Sequence, residues 1–329
     1  MYSSNHLVTV LIPVFNGEKY LSQAIKGVLN QTYTDFEFLI VDDASTDNSK
    51  NIIKSYDDSR IKLVENGWNL GQTATLNKGI KLAKGKYIAR LDQDDLSLPK
   101  RLEKQVEFLN SNPDITAVGS YVICIDENGN YMRESIWPVG FENNLFNILC
   151  GIPPVGHPAV MYRKEVVEKI GYYRNDYSVS SDLDLWLRIY SKGCTCSNIP
   201  DNLTYYRIHS EQGSDIQKNL QRKNHILAFY DFYSQLTKKE IDYDKIEQYL
   251  NVLVWESEKL NKKNIENIIE IFLTLFESLK PLHNCNNNIK KLLLRSIIFS
   301  YQKILYPFQL LGLVRVLIKK NMFYIKCIY

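Results

Sequence analysis

Between Tyr87 and Asp95 the sequence reads YIARLDQDD. A short apolar run ends abruptly in three carboxylates, Asp92, Asp94 and Asp95, with Gln93 among them. The first half has the composition of a buried strand, and the second half cannot be buried in the same way. Three negative charges this close repel one another unless a cation sits among them. The simplest such cation is divalent with oxygen ligands, and one held by only a few carboxylates usually completes its shell with substrate phosphates.

The elements before this stretch must deliver it. Leu7–Phe15 is a near-continuous apolar, β-branched run, as in a strand buried on both faces of a parallel sheet. Asn16-Gly17 breaks it, and apolar residues at helical spacing (Tyr20, Leu21, Ala24, Ile25, Val28, Leu29) predict an amphipathic helix over 18–30. Phe36–Val41 reads as a second strand ending in Asp42-Asp43, and Ser45-Thr46-Asp47 as the cap of a second helix. A third strand at Ile61–Glu65, a helix from Gly71 to Ala83 and a fourth strand at Lys86–Leu91 complete a β-α-β-α-β-α-β alternation. That is the pattern of a doubly wound α/β sheet, which binds ligands outside the carboxyl ends of its strands. Asn16, Asp42-Asp43 and Asp92–Asp95 all fall at such ends.

Downstream, Ser97 and Pro99 read as the start of a helix, Ile115–Ile125 as a strand and 131–157 as irregular. Ala159–Arg163 and Asn202–Ile208 read as strands, and Lys164–Ile170 and the stretch from Ser180 to Ser191 as helices. From about Gln212 helical periodicity takes over, over 216–235, 244–260, 264–279 and 287–320. The expected organisation is thus an α/β domain over 1–212 and a helical attachment over 213–329. From Ser278 to Tyr329 there are nine Lys/Arg and no Asp or Glu, leaving 31 basic and 37 acidic residues before it, a net −6. Apolar runs in this tail are too short for the ~20 residues that span a bilayer. Its composition suits either an interfacial helix on an anionic membrane or an ordinary helix packed on the body. No nucleic-acid-reading module accompanies it. The six cysteines are irregularly spaced, and MYSSNH has no basic n-region, so free thiols in a reducing cytoplasm are expected. Cys194-Thr-Cys196 has no partner at zinc spacing.

Four stretches in order, VTVLIPVFNGEKYL, QTYTDFEFLIVDDASTDNS, NLGQTATLNKGIKLAKGKYIARLDQDD and SSDLDLWLRI, resemble the family 2 inverting glycosyltransferases of GT-A fold. The resemblance covers residue 7 to about 210. It implies that Pro13, Phe15 and Asn16 line a nucleotide pocket and that Asp43 accepts the uracil N–H, while Asp42 stands equally as a cap for the following turn. It matches Asp92-Gln93-Asp94 to the family's DxD, with Asp94 ligating Mg2+ or Mn2+ on the donor diphosphate, Asp92 on ribose or metal, and Asp95 supporting. Asp182 becomes the general base, although the chain has Ser181-Asp182 where the family usually shows Glu-Asp.

The same resemblance makes His209 a metal or diphosphate contact and places His157 at the acceptor cleft. Plainer readings stand beside these: a structural His209, a core Trp186, a cap or surface charge at Asp184 and a surface ion pair at Arg207. The implied activity is transfer from a UDP-sugar to a saccharide or lipid-linked acceptor in bacterial capsule or O-antigen synthesis, in the cytoplasm or on the inner face of the membrane. The alternatives are a nucleotide-sugar- or glycan-binding module without turnover and a nucleotidyltransferase. The latter wants a Gly-rich, Arg-bearing loop after the first strand, and Leu11–Gly17 has one Gly and no Arg.

Overall fold

The computed structural model describes residues 7–210, 212, 217–255 and 262–282. Four parallel strands form its first half: β1 (Val8–Val14), β2 (Phe36–Asp42), β3 (Ile61–Glu65) and β4 (Tyr87–Arg90), in spatial order β3-β2-β1-β4. Helices α1 (Leu21–Leu29), α2 (Ser49–Lys54) and α3 (Gln72–Leu82) make the crossovers. Strand β1 is buried throughout because both of its faces are covered. Val8, Val10, Ile12 and Val14 join the core of Leu21, Ala24, Ile25 and Val28 from α1, whereas Leu11 joins that of Leu76 and Ile80 from α3. This is the period-2 alternation of a strand with two apolar faces.

Beyond β4 the sheet becomes mixed. Strand β5 (Leu96–Ser97) precedes α4 (Arg101–Ser111) and β6 (Ile115–Ile125); then come β7 (Tyr131–Ser135), α5 (Phe141–Leu149), β8 (Met161–Arg163), α6 (Lys164–Ile170), α7 (Ser181–Ser191) and β9 (Thr195–Arg207). β8 runs antiparallel between β4 and β6, and β9 lies parallel to β6. Several local expectations are corrected here. Residues 131–157 contain a strand and a helix, despite Pro138 and Pro153-Pro154. The last strand starts at Thr195 rather than Asn202, its register with β6 shifting near Ser120 and Tyr121, so Pro200 is tolerated at an irregularity. Ser97 ends a short strand, and its hydroxyl accepts from Arg101 instead of capping α4.

Helices α8 (Lys218–Thr237), α9 (Tyr243–Leu253) and α10 (Lys262–Leu279) follow. They share one core with the α/β body: Phe229, Tyr249, Phe272 and Leu275 pack with Leu145, Ile148, Leu149 and Trp186. Trp186 is fully buried, as the plainer reading has it. Among the described residues Cys124, Cys150, Cys194 and Cys196 are free, and no helix is long and apolar enough to cross a membrane. Cys285, Cys327, the expected 287–320 helix and nearly all of the basic tail lie outside the described residues.

Candidate active site

Because β1, β2 and β4 are parallel and in register, the loops after them open on one edge of the sheet. Those loops are tied to each other. Phe15 N–H donates to Gln93 Oε1 at 2.9 Å, and Gln93 Nε2 returns a bond to Phe15 O at 3.1 Å. Asn16, in the left-handed region at φ 48°, accepts from Thr46 N–H at 2.9 Å. Asp42 is fully buried and accepts from Ser45 N–H at 3.1 Å, the turn-capping role. Asp43, equally enclosed, accepts from Asn66 Nδ2, Leu70 N and Gly71 N at 2.7, 2.8 and 2.9 Å. A carboxylate held by three donors is a rigid acceptor with room for one more. Pro13 is the penultimate residue of β1, opposite Val41, and Phe15 just beyond the strand is 43% exposed. The polar parts of Gln93 and Asn16 therefore brace the loops, and the Phe15 side chain is the exposed group among them.

The acidic cluster has a cationic floor that the sequence reading passed over. Arg90, 1% exposed, forks onto both oxygens of Asp92. Gln72 Nε2, at the start of α3, reaches Asp92 at 3.2 Å. Beneath it Arg101, fully buried, donates to Arg90 O at 2.5 Å and Val160 O at 3.2 Å. Arg90 is the last residue of β4 and Asp92 lies two residues on, in the loop that leaves it. Burial pushes the Asp92 carboxyl up to about 6, against Arg90 and aided by Asp94 and Asp182. Burial likewise pulls the Arg101 guanidinium down to about 9.

Asp95 accepts from Arg207 N–H at 2.8 Å through one oxygen, while its other oxygen is buried without a partner. One oxygen from each of Asp92, Asp94 and Asp95 lies within 4.8 Å of the others, the grouping that could hold a metal ion among the described residues. Hard carboxylate oxygens, one of them orphaned, fit Mg2+ or Mn2+. His209 Nε2 meets Asp94 Oδ2 at 2.9 Å, so in this arrangement the ring holds Asp94, and its Nδ1 is buried and unpartnered.

Two residues differ from expectation. Arg207 is not a surface ion pair: it is 1% exposed, donates to the carbonyls of Asp94, Asp126 and Glu127 and to Gln23 Oε1, and lies 4.4 Å over the Tyr20 ring. A guanidinium has five fixed donors, and backbone oxygens at the site's edge absorb them. Asp184 is not a surface charge: it is 1% exposed and paired with Arg174 and Arg188, because α7 is buried on most sides. His157 contacts Tyr173 Oη at 3.0 Å, and burial holds it well below 6.5 and hence neutral.

Asp182 occupies the first turn of α7. Gln72 and Thr73, successive residues of α3, reach Asp92 and Ser181, so the start of α7 lies on the side of α3 that faces the triad. Burial raises the affinity of the Asp182 carboxylate for a proton; first-turn N–H groups and Arg90 oppose this. The loops thus carry a rigid acceptor at Asp43, a triad of carboxylates grouped closely enough to hold a cation, and at Asp182 a carboxylate of raised basicity.

The model of the family described as glycosyl transferase family 2 matches residues 9–171. An uncharacterized glycosyltransferase of Haemophilus influenzae is 30% identical over 276 residues, 80% of this chain and 81% of that one. The chain belongs to glycosyl transferase family 2. The O-antigen biosynthesis glycosyltransferase WbnJ of Escherichia coli is 33% identical over 258 residues, 75% of this chain and 94% of its own. The fold is also that of S. aureus TarS 1-349, solved in complex with UDP-GlcNAc, with a TM-score of 0.60 at 18% identity over 84% of this chain and 83% of that one. The protein is therefore a GT-A glycosyltransferase. Membership favours sugar transfer over nucleotidyl transfer and over a module without turnover. Hydrogen bonds from Phe15 to Gln93 and from Thr46 to Asn16 join the loops after β1, β2 and β4, and Arg90 is a further member of the acidic cluster's surroundings.

Proposed function

We propose that this glycosyltransferase moves a sugar from a UDP-sugar to a hydroxyl of a saccharide or lipid-linked acceptor, with inversion, in building a bacterial surface polysaccharide. The observation that carries the reading is that successive residues of α3 reach both sides: Gln72 bonds Asp92 of the carboxylate triad, and Thr73 meets Ser181, the neighbour of Asp182 at the start of α7. The relatives support the pathway class: one is named for O-antigen biosynthesis, and the TarS structure holds UDP-GlcNAc.

Asp43 takes the uracil N–H, and the Phe15 ring covers the base. Asp94, Asp92 and Asp95 hold Mg2+ or Mn2+, with His209 steadying Asp94. A divalent ion there supplies charge stabilisation to the departing diphosphate oxygen. Arg90 keeps Asp92 ionised and aimed. Asp182 accepts the proton of the acceptor hydroxyl. That oxygen bonds the anomeric carbon as the bond to the phosphate oxygen breaks, and the electron pair leaves with UDP. Ser181 carries no charge beside this base, so the acceptor is oriented by other groups, among them His157 in its neutral form. The basic tail contacts anionic membrane and brings the enzyme to lipid-linked acceptors.

UDP release with a panel of UDP-sugars and Mn2+ tests the chemistry. Asp182→Asn should lower turnover by about 10²–10⁴, the usual worth of a general base, and Asp94→Ala should abolish the Mn2+ dependence. Unchanged release in both variants refutes the mechanism. Truncation after Leu282 should release the protein from anionic liposomes; equal binding by both forms refutes the tail's role.

A further inference from the structure

Asp182 lies in the first turn of α7, beside that turn's own N–H groups. Where α7 begins, and in which direction, therefore decides where the carboxylate points. The segment leading into it, from Tyr172 to Ser180, is clamped from three sides. On the nucleotide side Asn77 of α3 exchanges two bonds with the backbone of Tyr173, at 2.8 and 3.0 Å. Thr73 of the same helix donates to Ser178 O at 3.1 Å and lies 3.2 Å from Ser181 Oγ. From α7 itself, Asp184 pairs with Arg174, and Arg188 donates to Ile170 O at 2.9 Å and Tyr172 O at 2.6 Å.

The third side is α8. The Tyr177 hydroxyl donates to the Asp231 carboxylate, and Ser180 Oγ donates to Gln221 O at 3.1 Å. Both acceptors belong to α8. Ser180 is the N-cap residue of α7, where a serine oxygen ordinarily accepts from the helix's own N–H groups. Here it makes no such bond, and its hydroxyl turns outward to α8 instead. Tyr177, three residues earlier, is 3% exposed and has the Arg174 guanidinium 4.8 Å from its ring centroid. Arg174 links this pair to Asp184 inside α7. The helical region thus grips the approach to the base through two hydrogen bonds that the α/β body does not need for its own sheet.

We propose that α8 positions the general base: Tyr177 and Ser180, held by Asp231 and Gln221 O, set the start of α7 and hence the aim of Asp182. This rests on the reading of Asp182 as base. Tyr177 and Ser180 touch no substrate and act through α7. Misplacing a catalytic group by about 1 Å costs up to 10²-fold.

The test uses the full chain with Tyr177→Phe, Ser180→Ala and Asp182→Asn, singly and with Tyr177→Phe added to Asp182→Asn. Turnover is followed as UDP release from whichever UDP-sugar of the panel reacts fastest. Binding of UDP with Mn2+ is followed by thermal shift. Tyr177→Phe and Ser180→Ala should each lower kcat about tenfold, with donor KM and the UDP shift unchanged, and should speed backbone hydrogen exchange across 178–183. Tyr177→Phe should cost nothing further on Asp182→Asn. Wild-type kcat in both single variants, or a loss that adds in full on Asp182→Asn, overturns the proposal while leaving the base in place. Wild-type kcat in Asp182→Asn is a different pattern, which removes the base and the positioning role together.

Discussion

Replacing Arg90 by Met tests the electrostatic floor of the site. The guanidinium is 2% exposed in its side chain and Asp92 22%, so the pair sits in low dielectric on one side only. Breaking a buried pair by removing one partner costs about 3–5 kcal/mol, because the other charge stays behind uncompensated. Partial access of water to Asp92 selects the lower end, about 3 kcal/mol. Unfolding entropy of about 2.1 cal/mol/K per residue, over 329 residues, gives about 0.7 kcal/mol/K, so Tm should fall by about 4 °C. The same substitution in an Asp92→Asn background should cost less, because no carboxylate is then stranded among Asp94, Asp95 and Asp182. Differential scanning calorimetry of the four proteins of this cycle, in EDTA, measures both terms. A Tm within 1 °C of wild type for Arg90→Met, or equal losses in both backgrounds, would show that Arg90 does not neutralise Asp92.

Asp95→Asn should raise the stability of the metal-free protein by about 1 kcal/mol, since the orphaned oxygen no longer carries charge, while shrinking the Mn2+-induced thermal shift; an unchanged shift would remove Asp95 from the cation site. His225 supplies a pH dependence. Its Nε2 meets Gly151 O at 2.7 Å, and burial pulls it down to about 4. The unfolded chain then binds a proton between pH 6.5 and 4 that the folded chain refuses, so stability is full above 6.5 and is lost as pH falls to 4. At about 1.4 kcal/mol per pH unit the loss approaches roughly 3 kcal/mol. His225→Gln should flatten that limb of a urea-midpoint profile, and an equally steep limb in the variant would rule the histidine out.

The sheet's first half was legible because burial on both faces leaves a plain mark: a continuous apolar strand such as Leu7–Phe15 has few other uses. The acidic ends of β2 and β4 were legible because charge cannot follow such a strand without a purpose. What stayed hidden is long-range polar satisfaction. Nothing near Arg207 announces that its donors go to the carbonyls of Asp94, Asp126 and Glu127 and to Gln23. Nor does Asp184 announce Arg174, ten residues upstream across a loop. β7 and α5 were missed because prolines and aromatics there outweigh a short amphipathic signal, and the start of β9 because a proline at position 200 argues against a strand that its irregular register permits.

The buried polar residues sort by what they leave unsatisfied. Arg101 and Arg207 spend guanidinium donors on backbone carbonyls and neighbouring side chains, which fixes β4, β5 and β9 where the three carboxylates emerge. Asp42 and Asp43 accept from backbone N–H groups of the loops beside them, with one Asp42 oxygen left without a partner. Asp95, a member of the triad, and His209, which meets Asp94 through Nε2, each keep one buried atom without a partner. A buried orphan costs about 1–3 kcal/mol, and proteins concentrate such costs where a ligand relieves them. At Asp95 the orphaned oxygen belongs to a carboxylate triad, so a cation bound there would relieve it and stabilise the fold, while the bracing of the surrounding loops would fix the cation's position.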